Sequence, residues 1–453
     1  MCTALLNPER ATIIPYQMHR SSQEVSLSEG ISRRTFLGAL IGTGVVTPLL
    51  AGCGPLMPAS SASGAFSVHT QLSGAVSGAQ VFSDVVAAYQ RANDQTVALL
   101  KNGSDLPIVF ETSALAGKEA DIAMVNLQGR TLSWTRLEAT IPVEELLDEW
   151  GLRDKIIPEA IEEWTDEDGH LRAFPFTRTN WPVSFNIGLL DEAGVQLPTT
   201  TDELIAVADA LRSKGIGPVT VGGSDWSGQK MFLQILQGFL TKEEASRAFS
   251  SGKLSEIPGA IAGVEHFVEL RDAGVFVDNV QGYTSDSELT QFNTRKAAIV
   301  PAMSSALALV PAERAAEVVV GGWPKPSRGG VLEHPSVIQS YNGHGIWISA
   351  NGAEKLDLLK PFIQNLYSPE VTKQFILGSG RDMSRITDVV STDFPLVAQA
   401  SQLTTDQVTP VMLPDLLIPD AVFEPMIRAT AMAYGSASVD QIIDMFEKAY
   451  DAA

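Results

Sequence analysis

Cysteine is almost absent: the 453 residues hold only Cys2 and Cys53. Beyond residue 53 there can be no internal disulfide and no thiolate metal site. Positive charge is also scarce, with 32 Lys and Arg against 53 Asp and Glu and a net charge of −21. Such an acidic surface argues against nucleic acid, against broad contact with anionic lipid and against polyanionic ligands. Histidine is sparse: beyond residue 53, His69, His170, His266, His334 and His344 stand singly, with no His-Glu-x-x-His helix. Each reads as a core or surface histidine rather than a metal ligand. No Gly-x4-Gly-Lys-Ser/Thr loop is present to cradle a nucleoside triphosphate. Ser224 is not a nucleophile elbow, because Trp226 rather than glycine stands two residues on. Carboxylates are plentiful, yet none sits in a motif that singles it out as a catalytic pair. The expectation is a binding role without catalysis, cofactor or metal. No apolar run reaches the roughly 20 residues of a membrane span.

The longest such run, residues 37–50, has a specific context. It follows Ser32-Arg33-Arg34-Thr35-Phe36-Leu37 and ends in Leu50-Ala51-Gly52-Cys53. Paired arginines before an aromatic and a leucine form the recognition element of twin-arginine export. A basic segment, a short apolar run and a small-residue cleavage site make a signal peptide. Leu-Ala-Gly-Cys resembles a lipobox, so residues 1–52 are expected to be the signal region, with Arg33 and Arg34 as the export signal and Cys53 as the lipidated first residue. Residues 54–64, rich in Pro, Ser, Ala and Gly, read as a flexible tether, so that residues 53–65 link anchor to fold. Residues 1–30 are polar and patternless, and Met18 offers an alternative start. The expected location is the extracellular face of the cell membrane, or the periplasm if there is an outer membrane.

The remaining residues suffice for two cores, since single cores stop growing near 250–300 residues. Residues 65–70 read as a strand opening into a glycine-rich loop at 71–78, then a helix to about 92. Residues 118–124 form a further strand, followed by short helices at 143–150 and 156–164. An Asp168-Gly169 turn predicts a hairpin. Thr200 and Glu203 have capping-box spacing, and Leu204, Val207, Ala208 and Leu211 give that helix its apolar face. Residues 216–221 are a strand that empties into Gly222-Gly223-Ser224-Asp225-Trp226-Ser227-Gly228. Strands at 297–302, 318–322 and 344–349 alternate with helices, and residues 423–450 hold two more helices. The alternation implies an α/β fold with mostly parallel sheets.

Several stretches occur in the order of a known family: Ala120-Asp121-Ile122-Ala123-Met124, Ala173-Phe174-Pro175-Phe176 leading to Ser184-Phe185-Asn186, and Leu197-Pro198-Thr199-Thr200-Thr201-Asp202-Glu203-Leu204. Lys296-Ala297-Ala298-Ile299, Gly345-Ile346-Trp347-Ile348-Ser349-Ala350-Asn351 and Ile363-Gln364-Asn365-Leu366-Tyr367-Ser368-Pro369-Glu370 follow. Together they resemble the maltose-binding-like family 1 of extracellular solute-binding proteins from carbohydrate ABC transporters. The resemblance covers most of residues 66–450. It implies a two-lobed periplasmic-binding-protein type II fold with a ligand cleft between the lobes, closing about a hinge. By it, residues 66–177 and 344–385 form lobe 1, and residues 178–343 and 386–453 form lobe 2. It also implies delivery of a mono- or oligosaccharide to ABC permease membrane subunits. A secreted sugar-processing hydrolase is the competing class, and a polyol, an amino sugar or a peptide the competing ligand.

Sugars present apolar C–H faces, which flat aromatics cover, and rings of hydroxyls, which Asp, Asn, Gln and Arg bind. The expected ligand-binding residues are therefore Gln71, Asn126, Arg178, Trp181, Asp225, Trp226 and Trp323. Asp225 would accept two hydroxyls while Trp226 stacks on a ring, because residues 222–228 leave a strand's carboxyl end. Core roles compete for Trp226, for Trp181 and Trp323, and more strongly for Trp347, inside a strand. After the Lys-Ala-Ala strand, Met303-Ser304-Ser305-Ala306 replaces the Gly-x-Trp frequent in the family, removing one stacking platform.

Overall fold

The structure, a computed structural model, describes residues 65–74 and 76–452. The signal region with Arg33 and Arg34, Cys53 and most of the tether lie outside the described residues. Three sheets organise the fold. The first, in the order β2-β1-β3-β11-β4, joins β1 (Ala65–Thr70), β2 (Thr96–Lys101), β3 (Ile122–Val125), β4 (Phe174–Pro175) and β11 (Gly345–Ile348). β1 runs parallel to β2 and β3, whereas β11 runs antiparallel to both β3 and β4. The second sheet, β7-β8-β6-β9, joins β6 (Val183–Asn186), β7 (Gly217–Val219), β8 (Ala297–Pro301) and β9 (Val318–Gly321). Here only β7 and β8 are parallel, and β6 is antiparallel to β8 and β9.

The sheets are therefore mixed, not mostly parallel. The reason is connectivity: β6 and β11 are each the first strand entered after the chain crosses from one sheet to the other. A short crossing delivers the strand head-on, without the helical crossover that parallel pairing needs. The third sheet is the crossing itself, with β5 (Thr179–Trp181) leading out of the first sheet and β10 (Ser336–Ser340) leading back. They pair antiparallel, Trp181 opposite Ile338, and β12 (Thr409–Val411) adds parallel to β10.

One core draws on Phe66 to Phe176 and Ile346 to Met383, with Trp134, Trp164 and Trp347 fully buried. The other draws on Val183 to Trp323 and on Ile418 to Ala449 of the C-terminal tail. Burying each large apolar side chain stabilises by roughly 1.5–3 kcal/mol. The helix Thr201–Ser213 forms as its spacing predicts: Thr200 and Glu203 complete a capping box and Leu204, Val207, Ala208 and Leu211 are buried. The tail helices Asp420–Ala433 and Val439–Asp451 pack on the helices Trp226–Gln237 and Pro258–Asp272. The Asp-Gly turn also appears: Thr165 bridges Leu171 antiparallel, with Gly169 at φ 88°.

Candidate functional site

Where the crossing strands meet the second sheet's helices, an apolar cluster forms apart from the two large cores. It holds Trp181, Ile338 and Leu413, with Trp226, Met303, Val411 and Leu416 packed around them. The two indoles meet edge to face, 5.8 Å between centroids at 76°. Trp181 is fixed by the ladder of β5 and is 7% exposed, while Trp226, the first residue of its helix, is half-buried. Lys230 stands one helical turn beyond Trp226 and so shares its face. Its ammonium lies 5.4 Å from the Trp181 ring, 5.5 Å from the Trp226 ring and 5.6 Å from the Phe423 ring. It is paired with both carboxylate oxygens of Asp415, at 3.0 Å from Oδ1 and 2.7 Å from Oδ2. Both charges are largely buried, so each depends on the other to offset its desolvation.

The loop carrying Trp226 follows β7 directly and is held by carboxylates. Asp225 caps the Trp226–Gln237 helix by accepting from Ser227 N at 2.9 Å, and its other oxygen accepts from Ser285 N at 2.7 Å. Glu288, buried on the helix Ser285–Asn293, accepts from Gly222 N at 2.5 Å and from the Ser227 hydroxyl at 2.6 Å. Burial pushes the Glu288 carboxyl up to about 8, with its two hydrogen bonds opposing the shift. The glycines here serve close packing. A Cβ on Gly222 would lie 2.6 Å from Ser285 N, and one on Gly228 2.7 Å from the Gly222 carbonyl oxygen.

The first lobe contributes the carboxyl ends of β1 and β3. Gln71 donates its backbone N–H to the Met124 carbonyl at 3.1 Å, and the Asn126 carbonyl accepts from the Thr131 hydroxyl at 3.0 Å. Both side chains are half-buried. Asn342, between β10 and β11, holds Leu127 through two hydrogen bonds of 2.5 and 2.6 Å. The loop beyond Asn126 reaches the tail: Arg130 pairs with Glu111 at 2.8 Å and with Asp420 at 3.3 Å. Gly129 packs directly on the Asp420 backbone. Leu416 packs against both the first core and the indole cluster.

Arg178 lies at the start of the crossing. Its backbone N–H donates to the Asp382 carbonyl at 3.0 Å, and its buried Nε has no partner. It lines a cavity of about 300 Å³ with Asp382, Arg385, Asp388, Ser401 and Gln402. Burial raises the Asp382 carboxyl above its ordinary range, opposed by Arg178, by the Ser401 hydroxyl and by Arg381. Among the described residues no group of three or more His, Cys, Asp and Glu is placed to hold a metal ion.

The model of the bacterial extracellular solute-binding protein family matches residues 61–373, more than half of the chain. The chain belongs to that family. A probable secreted solute-binding lipoprotein from Streptomyces coelicolor, known as a crystal structure, is 47% identical, covers 87% of this chain and 100% of its own, and superposes with a TM-score of 0.80. A maltose-bound protein of T. maritima, 16% identical, covers 86% of this chain and 99% of its own with a TM-score of 0.68, a likeness of fold alone. A probable sugar-binding periplasmic protein of Rhizobium meliloti (strain 1021) is 34% identical over 136 residues. That match spans 30% of this chain and 32% of the relative's length. The two-lobed architecture of the family is thus the architecture described above.

Within this solute-binding fold the expected residues divide. Trp181 and Trp226 come into direct contact. Gln71 and Asn126 share the edge of the first sheet, and Arg178 stands at the crossing. Trp323 does not join them: it is 3% exposed and stacks on Phe276 at 6.3 Å and 6° inside the second core. Its ladder bonds to Ser336, 2.7 and 2.8 Å, turn the indole into the lobe, so it is a core residue and not a cleft residue. Trp347 is likewise core, donating to the Val125 carbonyl at 3.0 Å. Asp225, expected to bind hydroxyls, commits both oxygens to backbone N–H groups, because a cap at a helix start faces those donors. Sequence reasoning missed Lys230, Asp415 and the tail's part in the cluster. Lys230 had a signal, its four-residue spacing from Trp226. Asp415, far along the chain, had none.

Proposed function

We propose that this chain captures a sugar outside the cell and delivers it to the membrane subunits of an ABC permease. The observation that carries the reading is the Trp181–Trp226 pair at the crossing between two lobes, one indole fixed and one half-exposed. Flat apolar faces beside the Lys230–Asp415 pair match the two kinds of surface a sugar presents. Relatives described as sugar-binding periplasmic proteins support this ligand class. A hydrolase would need a carboxyl pair placed across a substrate; here the carboxyls around the indole pair, Asp225, Glu288 and Asp415, are each engaged by the protein's own donors. The chain is further proposed to be lipid-anchored at Cys53 after export directed by Arg33 and Arg34, the 47% identical lipoprotein being consistent with this.

A thermal-shift screen against mono- and disaccharides, with each sugar assayed afterwards, tests the reading. A ligand present at 100 times its Kd adds about 2.7 kcal/mol to stability by mass action. The expected result is a higher melting temperature with at least one sugar, recovered unchanged. Sugar cleavage, or a flat response to every sugar, would overturn it. Cys53→Ala is expected to move the exported protein from the membrane pellet to the soluble fraction.

A further inference from the structure

The place of Trp226 in its loop is set by its two neighbours, and both are tied to one helix. Asp225, before it, accepts from the N–H of Ser285, the first residue of the helix Ser285–Asn293, at 2.7 Å. Ser227, after it, donates its hydroxyl to Glu288, one turn further along that helix, at 2.6 Å. The same Glu288 oxygen, Oε2, accepts from Gly222 N at 2.5 Å, where the loop begins. Ser224 adds a tie of its own, its N–H and hydroxyl both donating to the Tyr283 carbonyl at 2.9 and 2.6 Å. Glu288 thus fastens both ends of the turn that presents the indole.

The carboxyl is buried, and the groups that face it offer no counter-charge. Asp225 on the loop and Asp286 on its own helix are carboxylates. Tyr434, at the end of the tail helix Asp420–Ala433, is uncharged and donates to the Gly228 carbonyl at 3.0 Å. β8, packed on the same helix, carries only Ala, Ile, Val and Pro. Lys230, the only cation on the helix Trp226–Gln237, is committed to Asp415. Protonated, Glu288 can offer a carbonyl oxygen to both donors without burying charge. Ionised, it places an unpaired charge beside two carboxylates, which is relieved only if water reaches it. Water enters where Gly222 and Ser227 now sit, so the ionised carboxylate and the seated loop compete for one space. Burial pushes the Glu288 carboxyl up to about 8, opposed by the bonds from Ser227 and Gly222 and reinforced by Asp225 and Asp286. With the loop released and the carboxyl in water, it would titrate near its ordinary value of about 4.3. Between those values the seated loop holds one proton more, so seating weakens as pH rises and levels off above the upper one.

We propose, on the footing of the sugar-binding reading above, that Glu288 is a positioning residue for the indole subsite. Its protonated form seats the 222–228 loop with Trp226 in place, and loss of the proton unseats that loop. Sugar is then gripped in acidic surroundings and let go in alkaline ones.

The test compares the wild type, Glu288→Gln and Glu288→Ala at about pH 5.5 and about pH 9, on either side of the window. Calorimetric titration uses glucose, galactose, maltose and cellobiose. Hydrogen exchange of the 222–228 backbone in the ligand-free protein, corrected for the intrinsic effect of pH, reads the loop without any sugar. From the lower to the higher pH the wild type should lose about tenfold or more in sugar affinity, as the competent fraction falls, and lose protection in the loop. Glu288→Gln keeps a carbonyl acceptor that does not titrate, so its affinity and loop protection should be the same at both pH values. Glu288→Ala removes the acceptor and should bind weakly at both. An equal change with pH in the wild type and Glu288→Gln, in either measurement, would overturn the proposal. If none of the four sugars binds the wild type at the lower pH, the sugar-binding reading fails, and the exchange measurement alone decides whether Glu288 seats the loop.

Discussion

Gly129 is the point where closure of the lobes is most open to perturbation. A Cβ added there would lie 2.6 Å from both Cα and N of Asp420 and 2.9 Å from its Cβ. Ordinary contacts between such atoms are about 3.5–4.0 Å, so Gly129→Ala brings an overlap of roughly 1 Å against backbone at the start of a helix. Backbone cannot rotate away as a side chain can. The lobes must separate, or the 126–131 loop must shift, and overpacking of this kind costs about 1–3 kcal/mol. Gly129 is not at positive φ, so alanine fits its backbone and slightly stabilises the lobe that carries it through the unfolded state, by about 0.4–1 kcal/mol. The cost therefore falls on the contact between the 126–131 loop and the tail. At 1.4 kcal/mol per tenfold, affinity for the sugar should weaken by about fivefold to a hundredfold. Calorimetric titration gives the affinity, and thermal melting of the ligand-free protein gives the control. Full wild-type affinity in Gly129→Ala would refute the view that ligand is held by lobes meeting at this contact.

Three other residues are read through stability. The raised Glu288 carboxyl keeps its proton in the folded protein up to about pH 8, while the unfolded chain loses it near its ordinary value of about 4.3. The folded state then binds more protons, so stability falls as pH rises from about 4.3 to 8 and levels off above. Glu288→Gln, which mimics the protonated acid, should flatten the dependence of melting temperature on pH in that window; an unaltered slope would contradict the assignment. Trp323→Ala should cost about 3–5 kcal/mol, as for a buried core aromatic, with sugar affinity of the folded protein unchanged. Asp225→Ala should cost about 0.5–2 kcal/mol for the lost cap, read as a lower denaturant midpoint, and Asp225→Asn much less. A large affinity loss in Asp225→Ala at unchanged stability would return this residue to the ligand.

Local signals in the sequence located many helices and most strands, because caps and apolar spacing are properties of short segments, but the helices Leu106–Leu115, Ile187–Ala193, Ser285–Asn293 and Pro395–Ser401 were not expected. The Thr200–Glu203 box and the buried face Leu204, Val207, Ala208 and Leu211 appear as expected. β2, β10 and β12 escaped notice. Of β2 only Val97 is buried, so it carries little alternation, and β10 mixes Ser336, Gln339 and Ser340 into a strand held by its neighbours on the crossing. The site was legible in part. Trp226 and Trp323 stand in similar glycine-bordered loops, and nothing local tells the indole that turns to the crossing from the one that turns into the core. That difference is set by β5 pairing with β10 and by Phe276 stacking on Trp323. Met303 stands where the family often has Gly-x-Trp, and it packs against the indole cluster. The Asp415 partnership arises from a contact 185 residues from Lys230, which only tertiary structure creates.

The central claim is that a sugar is held between the lobes against Trp226. Its most direct test is a crystal structure of the protein with a sugar that raises its melting temperature. The account predicts a sugar ring lying on the exposed face of Trp226, with Gly129 seated on Asp420. Sugar found instead in the cavity beside Arg178 and Asp382, or on the outer surface of either lobe, would contradict it.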